Sequence, residues 1–235
     1  MTTSEIITSL QSKGSEQIKK ILVRHGAREP LFGVKVEDLK KIVKDVKDSH
    51  QVALELYSTG IYDAMYLAGL LAEPKRMDKP TLRKWVDGAY CYGLSEYTVA
   101  WMAAESPVGW DLALEWIRSD REMTAAAGWA TLGGIVALTP DSHLKIPKLK
   151  ELAEQVGESI HDSPNRVKSS MNRFLIALGS YVPELTSFSK AIAVAIGKVT
   201  VNMDGTACKV PYAPDYISKI EKMGRIGKKR KTVIC

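Results

Sequence analysis

The stretch LSEYTVAWMAAESP at residues 94–107 carries apolar side chains three and four positions apart and ends at a proline. Two further apolar segments follow closely, WDLALEWI at residues 110–117 and EMTAAAGWATLGGIVALTP at residues 122–140. A spacing of three to four residues is the period of an α-helix, and Pro107 and Pro140 mark helix ends because proline cannot continue a helix. The three segments predict consecutive helices joined by tight turns.

The same helical period extends over most of the 235 residues, whereas the two-residue alternation of β-strands is almost absent. Pro80, Pro164 and Pro183 each precede an apolar periodic segment, which favours the first turn of further helices. About twelve short helices joined by tight turns are typical of an α-solenoid built from helical hairpins. We therefore predict an all-α fold, an α-α superhelix that occupies residues 1–200.

The C-terminal residues 201–235 differ in pattern and are predicted to form an extension with one helix and a basic tail. Helical periodicity lapses at about Val199, and one more helix is expected at residues 214–223. The end, GRIGKKRK at residues 224–231, is basic and interrupted by glycine, which indicates a mobile segment. The stretch NMDGTACKVP at residues 202–211 is more specific than a linker requires, but its residues indicate no mechanism.

Composition narrows the possible functions. Lys and Arg number 33 against 27 Asp and Glu, an excess that favours a polyanionic partner or is simply solvated surface. Cys91, Cys208 and Cys235 are far apart, which argues against a disulfide framework and a zinc site and favours a reducing cytoplasm. The sequence contains no signal peptide, no membrane-spanning apolar run and no glycine-rich phosphate loop. We predict a protein without metal, cofactor or membrane contact.

Tyr92 and Glu96 are a candidate catalytic pair. They stand four residues apart near the start of the helix whose apolar stripe includes Leu94, Tyr97 and Trp101, and helical geometry places them together on the opposite face. Such a pair suits base excision, because the ring packs on a nucleoside while the carboxylate stabilises positive charge at the sugar or activates water. The alternative is an ordinary helix surface with an exposed glutamate beside a half-buried tyrosine.

A second candidate surface lies on the helix predicted at residues 164–179. Two arginines seven residues apart share one face with small serines between them, and such a face can hold phosphates. A solvated outer face explains the pattern equally well. The candidate DNA-binding residues on this helix are Arg166, Lys168, Ser169, Ser170 and Arg173.

The C-terminal region supplies the remaining candidate phosphate contacts. A flexible basic arm can follow a DNA backbone, because lysine and arginine that neutralise phosphates release condensed counterions. A solubilising tail is the alternative. The residues concerned are Lys209, Lys228, Lys229, Arg230 and Lys231.

Three segments, taken in order, resemble the DNA alkylation repair family of HEAT-like repeat proteins. They are FGVKVEDLKKI at residues 32–42, LELYSTGIYDA at residues 54–64 and WDLALEW at residues 110–116. The similarity runs roughly over residues 15–200. It implies a crescent of HEAT-like hairpins that holds duplex DNA on a basic concave face, and a DNA glycosylase activity that removes N3- and N7-alkylated purines without metal or organic cofactor.

The resemblance also locates a substituted excision site. Active members have a tryptophan four positions before a catalytic aspartate, and the matching residues are Tyr92 and Glu96. An arginine of the family pattern falls near residues 124–127, which contain none, and a second tryptophan falls near Arg173. The scaffold therefore resembles the family more closely than the catalytic residues do.

Two hypotheses remain open from the sequence. In the first, the protein binds duplex or damaged DNA and is a glycosylase (a hydrolase) that uses Glu96 as its carboxylate and Tyr92 as the ring on the sugar. In the second, it is a non-catalytic HEAT-like protein that recognises branches or bulges in DNA, or a protein partner. Under either hypothesis we expect a cytoplasmic monomer, associated with the nucleoid if the cell is prokaryotic.

Overall fold

The computed structural model describes residues 1–202 and 209–235, and this part of the chain is helical without any β-strand. The predicted all-α class is confirmed, while most of the stretch at residues 202–211 lies outside the described residues. The α-helices are α1 (Thr3–Ser12), α2 (Glu16–Arg24), α3 (Val36–Val43), α4 (Ser49–Ser58), α5 (Tyr62–Leu71), α6 (Lys79–Gly88), α7 (Ala100–Glu105), α8 (Gly109–Trp116), α9 (Glu122–Leu138), α10 (Ile146–Ser159), α11 (Asn165–Tyr181), α12 (Thr186–Ile196) and α13 (Ala213–Lys222). A π-helix spans Gly93–Val99, and single 3₁₀ turns lie at Pro74–Arg76, Asp141–His143 and Pro183–Leu185.

The helices pack mainly against near neighbours in the chain, as expected for an α-α superhelix. Helix α4 packs on α5, α8 on α9, and α11 on both α9 and α12. Helix α9 is buried on most sides because it lies between α7, α8 and α11. Two apolar cores result, one built by residues between 6 and 127 and the other by residues between 113 and 213, and α8 and α9 contribute to both.

Tryptophans anchor these cores. Trp85, Trp101, Trp116 and Trp129 are buried, and only Trp110 remains partly exposed, with the Lys145 ammonium 5.0 Å from its ring. A buried indole removes a large apolar surface from water, so one such ring in each successive layer stabilises a solenoid efficiently. No helix in residues 1–202 or 209–235 is long and apolar enough to cross a bilayer.

A buried carboxylate fixes the loop before α3. Asp63, in the first turn of α5, accepts hydrogen bonds from the backbone N–H groups of Phe32 at 2.6 Å, Gly33 at 3.3 Å and Val34 at 2.7 Å. A backbone N–H buried without a partner is costly, so this carboxylate stabilises a loop that has no sheet or helix to satisfy it.

Asp63→Asn is expected to lower the free energy of unfolding by about 2 kcal/mol, because an amide loses the charge-assisted part of these hydrogen bonds. Urea denaturation followed by circular dichroism measures the change. Asp87→Asn is the matched control, since Asp87 is exposed and its ion pair with Arg121 is worth at most about 1 kcal/mol. Equal losses in the two variants would contradict the structural role of Asp63.

The C-terminal extension is held against the superhelix. Helix α13 confirms the last predicted helix, and it packs on α11 and α12 with Ile217 directly over Gly179. Before α13, Asn165 and Asn202 exchange two hydrogen bonds, and the Asn172 side chain donates to the Pro211 carbonyl at 2.9 Å. The extension therefore covers part of the α11 surface.

The tail, defined as residues 224–235, is docked, and the prediction of a mobile segment is wrong. The Gly227 N–H donates to the Ser180 carbonyl at 2.9 Å, and the Arg230 N–H donates to the Ala137 carbonyl at 2.8 Å. Further along, the Val233 N–H donates to the Glu105 carboxylate at 2.8 Å. The tail thus crosses from the end of α11 over the end of α9 to the end of α7.

The tail docks because it satisfies the C-terminus of α9. The last carbonyls of a helix have no partner within the helix, and positive charge is favourable beside them. Besides the Arg230 main-chain bond, the Lys229 ammonium donates to the Val136 carbonyl at 3.0 Å and pairs with Asp141 at 2.8 Å. Gly134 allows α7 and α9 to pack closely, because a Cβ there would lie 2.7 Å from the Ala104 Cβ. Val233 of the tail packs over the same position at ordinary van der Waals distance.

Candidate nucleic-acid interface

Glu96 lies in the π-helix Gly93–Val99, directly before α7. The expected exposed position is not observed, because the Glu96 side chain is 0 % exposed. A π-helix is rare and occurs often at functional sites. The π-helix can pack closely against α5 because Gly93 has no side chain: a Cβ there would lie 2.6 Å from the Tyr62 hydroxyl.

Arg166 of α11 binds Glu96 with both arms of its guanidinium. Its Nε lies 2.8 Å from Glu96 Oε1, and its Nη2 lies 3.0 Å from Oε2. The same guanidinium stacks on the Tyr92 ring at 4.0 Å from the centroid, and the Tyr92 hydroxyl contacts His25 Nδ1. Tyr92 and Glu96 therefore share one face, as predicted, but Arg166 occupies the space between them.

Arg173, two turns further along α11, completes the cluster. Its guanidinium forms a second ion pair with Glu96 and lies 5.8 Å from the centre of the Tyr97 ring. Its side chain is 36 % exposed, against 12 % for Arg166, so Arg173 is the member that solvent or a ligand can reach. The Nη2 atom of this guanidinium is nevertheless buried, and desolvation lowers the pKa of Arg173 to about 10, which leaves the group cationic at neutral pH.

In the described part of the chain, two guanidinium groups contact the single carboxylate of Glu96, so these three side chains together carry a net positive charge. A second carboxylate, Glu122, accepts a hydrogen bond from the Arg166 backbone N–H at 2.6 Å. Charge-assisted bidentate pairs of this kind are strong and directional, and they hold the Glu96 oxygens in place. Such a group attracts a phosphate rather than a cation. It opposes the positive charge that develops on the sugar when a glycosidic bond breaks.

The remaining predicted residues of α11 are less accessible than expected. Ser170 is 0 % exposed, Ser169 is buried and Lys168 is half-buried. The predicted open face with serine hydroxyls for phosphates is therefore wrong for Ser169 and Ser170. The reason is packing on a second side, since α9 covers one flank of α11 and the C-terminal extension covers another.

A cavity of about 820 Å³ lies between the tail and a wall formed by α7, α9 and α11. Its wall includes Glu96 and Arg173 together with small residues of α9 such as Ala130 and Gly133, and its other side is formed by tail residues 228–233. The structure thus brings together two groups of candidates that are more than 50 positions apart in sequence. Lys209, by contrast, is exposed on the segment that leads to α13.

Among the described residues, the basic side chains at the cavity differ in whether they already bind another protein group. Lys229 is committed to Val136 and Asp141, so its predicted phosphate contact competes with capping of α9. In the described part of the chain, the cations at the cavity that have no ion pair are exposed. They are Arg225, Lys228, Arg230 and Lys231.

The structure adds residues that the sequence did not single out. Arg225, Tyr181 and Tyr216 line the cavity, and His25 contacts Tyr92. Their sequence positions carry no local signal, because each reaches the site from a different helix or loop. Within residues 1–202 and 209–235, no cluster of three or more His, Cys, Asp or Glu could hold a metal ion.

Comparisons with known proteins agree with this fold. The family described as DNA alkylation repair enzyme matches residues 6–200. Uncharacterised proteins of Listeria monocytogenes and Listeria innocua are each 30 % identical over 226 residues, which is 93 % of this chain and 97 % of the relative.

A solved structure is similar over 100 % of both chains, with 38 % identity and a TM-score of 0.92. It is described as representing a new family of proteins related to the HEAT-like repeat DNA glycosylases with affinity for branched DNA structures. This similarity confirms the HEAT-like superhelix predicted from the sequence. On the family match and the whole-length similarity to these relatives, the chain belongs to the DNA alkylation repair enzyme family.

Proposed function

We propose that this protein binds DNA through the cations around the cavity, prefers branched DNA to linear duplex, and does not excise alkylated bases. The observation that carries the proposal is the position of Glu96, which lies buried between Arg166 and Arg173. Glu96 matches the catalytic carboxylate of the family, but here it holds two arginines in place instead of facing a substrate.

Loss of excision follows from electrostatics. Removal of an alkylpurine builds positive charge on the sugar, and an enzyme accelerates it by placing uncompensated negative charge nearby. Glu96 is compensated twice, and Arg166 fills the space beside the Tyr92 ring where a sugar would have to lie. The arrangement supports binding of a phosphate far better than stabilisation of a sugar cation.

DNA binding is supported by the distribution of positive charge. Arg173 on the wall and the exposed cations of the tail face one cavity, and phosphate neutralisation by such groups supplies most of the affinity of sequence-independent binding. The relative with affinity for branched DNA matches this chain along its whole length, including the C-terminal extension that forms the tail. That similarity supports branched DNA as the preferred ligand.

Two measurements test the proposal. We expect a four-way junction to bind more tightly than a linear duplex of equal length, with a log–log salt slope of about −4 to −5 for about five phosphate contacts. We expect no release of 7-methylguanine or 3-methyladenine from alkylated duplex DNA. Equal affinity for both DNA shapes would refute the preference, and release that Glu96→Gln abolishes would establish a glycosylase instead.

The proposal includes the cellular setting expected from the sequence. A protein that binds DNA without sequence preference associates with the nucleoid in a prokaryotic cell. The cavity is built by one chain, so a monomer is sufficient as the binding unit.

A further inference from the structure

The tail lies across the ends of α11, α9 and α7 and restricts what can enter the cavity. The Arg230 main chain bonds directly to the end of α9, so no ligand passes between the tail and that helix without breaking the contact. What remains open is the cavity of about 820 Å³ beside it. This volume lies within the range of roughly 300–1,000 Å³ typical of small-molecule sites, which suits individual nucleotides rather than a duplex.

Aromatic rings reach the cavity from three separate elements. Tyr97 comes from the π-helix, Tyr181 from the end of α11, and Tyr216 from α13. Tyr97 and Tyr181 are half-buried, and Tyr216 is 45 % exposed. Every nucleobase has an apolar face that stacks on such rings, so they form platforms that tolerate any sequence.

Cationic side chains surround the same rings. Arg225 and Lys228 line the cavity with exposed side chains, and Arg173 reaches it from the wall. Among the described residues that line the cavity, the single carboxylate is Glu96, and two arginines neutralise it. Sites that bind single-stranded nucleic acid combine aromatic rings, which stack on the bases, with cationic side chains, which contact the phosphates.

We propose that this cavity binds an unpaired DNA strand, the single-stranded arm of a branched structure, beneath the tail. The inference rests on the proposed function and adds to it the part of the DNA that the cavity takes. The paired arms remain outside the cavity, against the exposed cations of the tail, while the unpaired arm enters between Tyr97, Tyr181 and Tyr216.

The test compares three DNA ligands by fluorescence anisotropy: a three-way junction with a single-stranded arm, the same junction fully paired, and a linear duplex. Tyr216→Ala removes an exposed ring without changing charge, and Ala130→Trp fills the cavity from its half-buried wall. We expect each variant to lose about tenfold in affinity for the junction with the unpaired arm, the magnitude of one lost base–ring stack. Affinity for the fully paired junction should stay within about twofold.

Tyr90→Ala is the matched control, because Tyr90 is half-buried and packs on Arg28 away from the cavity. Thermal unfolding checks that all variants are folded. A 5-iodouracil in the unpaired arm should crosslink to Tyr181 or Tyr216 on irradiation, a result independent of variant stability.

The outcomes separate this inference from the proposed function. If both variants bind the unpaired-arm junction as well as the wild type, or lose equal affinity for the paired junction, the cavity does not take an unpaired strand. Crosslinks confined to residues outside the cavity would likewise exclude the cavity as the binding site of that strand. If the wild type prefers neither junction to the linear duplex, the proposed function itself fails.

Discussion

Glu96→Ala is expected to lower the free energy of unfolding by about 3–5 kcal/mol, although Glu96 belongs to no apolar core. Removal of one partner from a buried ion pair leaves the other charge desolvated, and that residual charge causes most of the loss. Here the variant removes the carboxylate that Arg166 and Arg173 both contact, and it leaves the two guanidinium groups facing each other. Denaturation in urea, followed by circular dichroism, measures the effect.

An exposed pair of the same chemistry provides the control. Arg83 binds Glu115 with Nε–Oε1 at 2.9 Å and Nη2–Oε2 at 2.6 Å, so its geometry matches that of Arg166 and Glu96. Both partners are about half exposed, and Glu115→Ala should therefore cost at most about 1 kcal/mol. If Glu96→Ala costs no more than Glu115→Ala, the arginine cluster is well hydrated and burial adds nothing to the strength of its ion pairs.

Coupling within the cluster gives a second criterion. Removal of Arg173 together with Glu96 should cost less than the sum of the two single variants, because Arg173 is part of the repulsion that Glu96→Ala creates. Additive losses would mean that Glu96 and Arg173 do not interact in solution. The outcome also bears on function, since the proposed loss of excision requires that this pair persists.

The sequence predicts the helices well because helical signals are local. The spacing of apolar residues and the position of proline decide whether residues 94–107 are helical, without reference to the rest of the chain. The expectation that Arg166 and Arg173 share a face is likewise a consequence of seven-residue spacing, and both do contact Glu96. The family resemblance located Tyr92 and Glu96 for the same reason, through a motif of neighbouring residues.

The environment of those residues was beyond local reasoning. Glu96 and Arg166 are 70 positions apart, so the partner of Glu96 comes from a helix that no spacing rule connects to it. Burial of Ser170 depends on α9 and on the C-terminal extension, which pack on two sides of α11. The sequence shows one apolar stripe on α11, and it cannot show that a polar flank is covered as well.

For the tail, the sequence predicts mobility where the structure shows a docked segment. Its glycines and lysines are typical of mobile ends, because such residues bury little apolar surface. Docking depends instead on the carbonyls at the end of α9 and on the Glu105 carboxylate at the end of α7, which accept hydrogen bonds from the tail. These are properties of the receiving surface, and they become visible only when the superhelix is assembled.

Removal of three tail cations, with Lys228, Arg230 and Lys231 all changed to alanine, is expected to weaken binding of branched DNA about a hundredfold at physiological salt. Each phosphate contact releases about 0.9 counterion, so the log–log salt slope should become less steep by about 3. The tail itself should remain docked, because Arg230 bonds to α9 through its main-chain N–H and Lys229 is unchanged.

A charge-matched variant separates a local effect from a general one. Lys40, Lys44 and Lys47 are exposed and lie outside the cavity lining of the described residues, and their replacement by alanine changes the net charge equally. This triple variant should alter the salt slope by less than about 1, because these lysines attract DNA at long range without fixed phosphate contacts. Equal losses in the two variants would show that DNA responds to net charge alone. A selective loss of affinity in the tail variant would mean that the tail, which is held in place by capping α9, also contacts the DNA backbone. Lys229 and the Arg230 main chain would then hold the tail on α9, while the side chains of Lys228, Arg230 and Lys231 bind DNA.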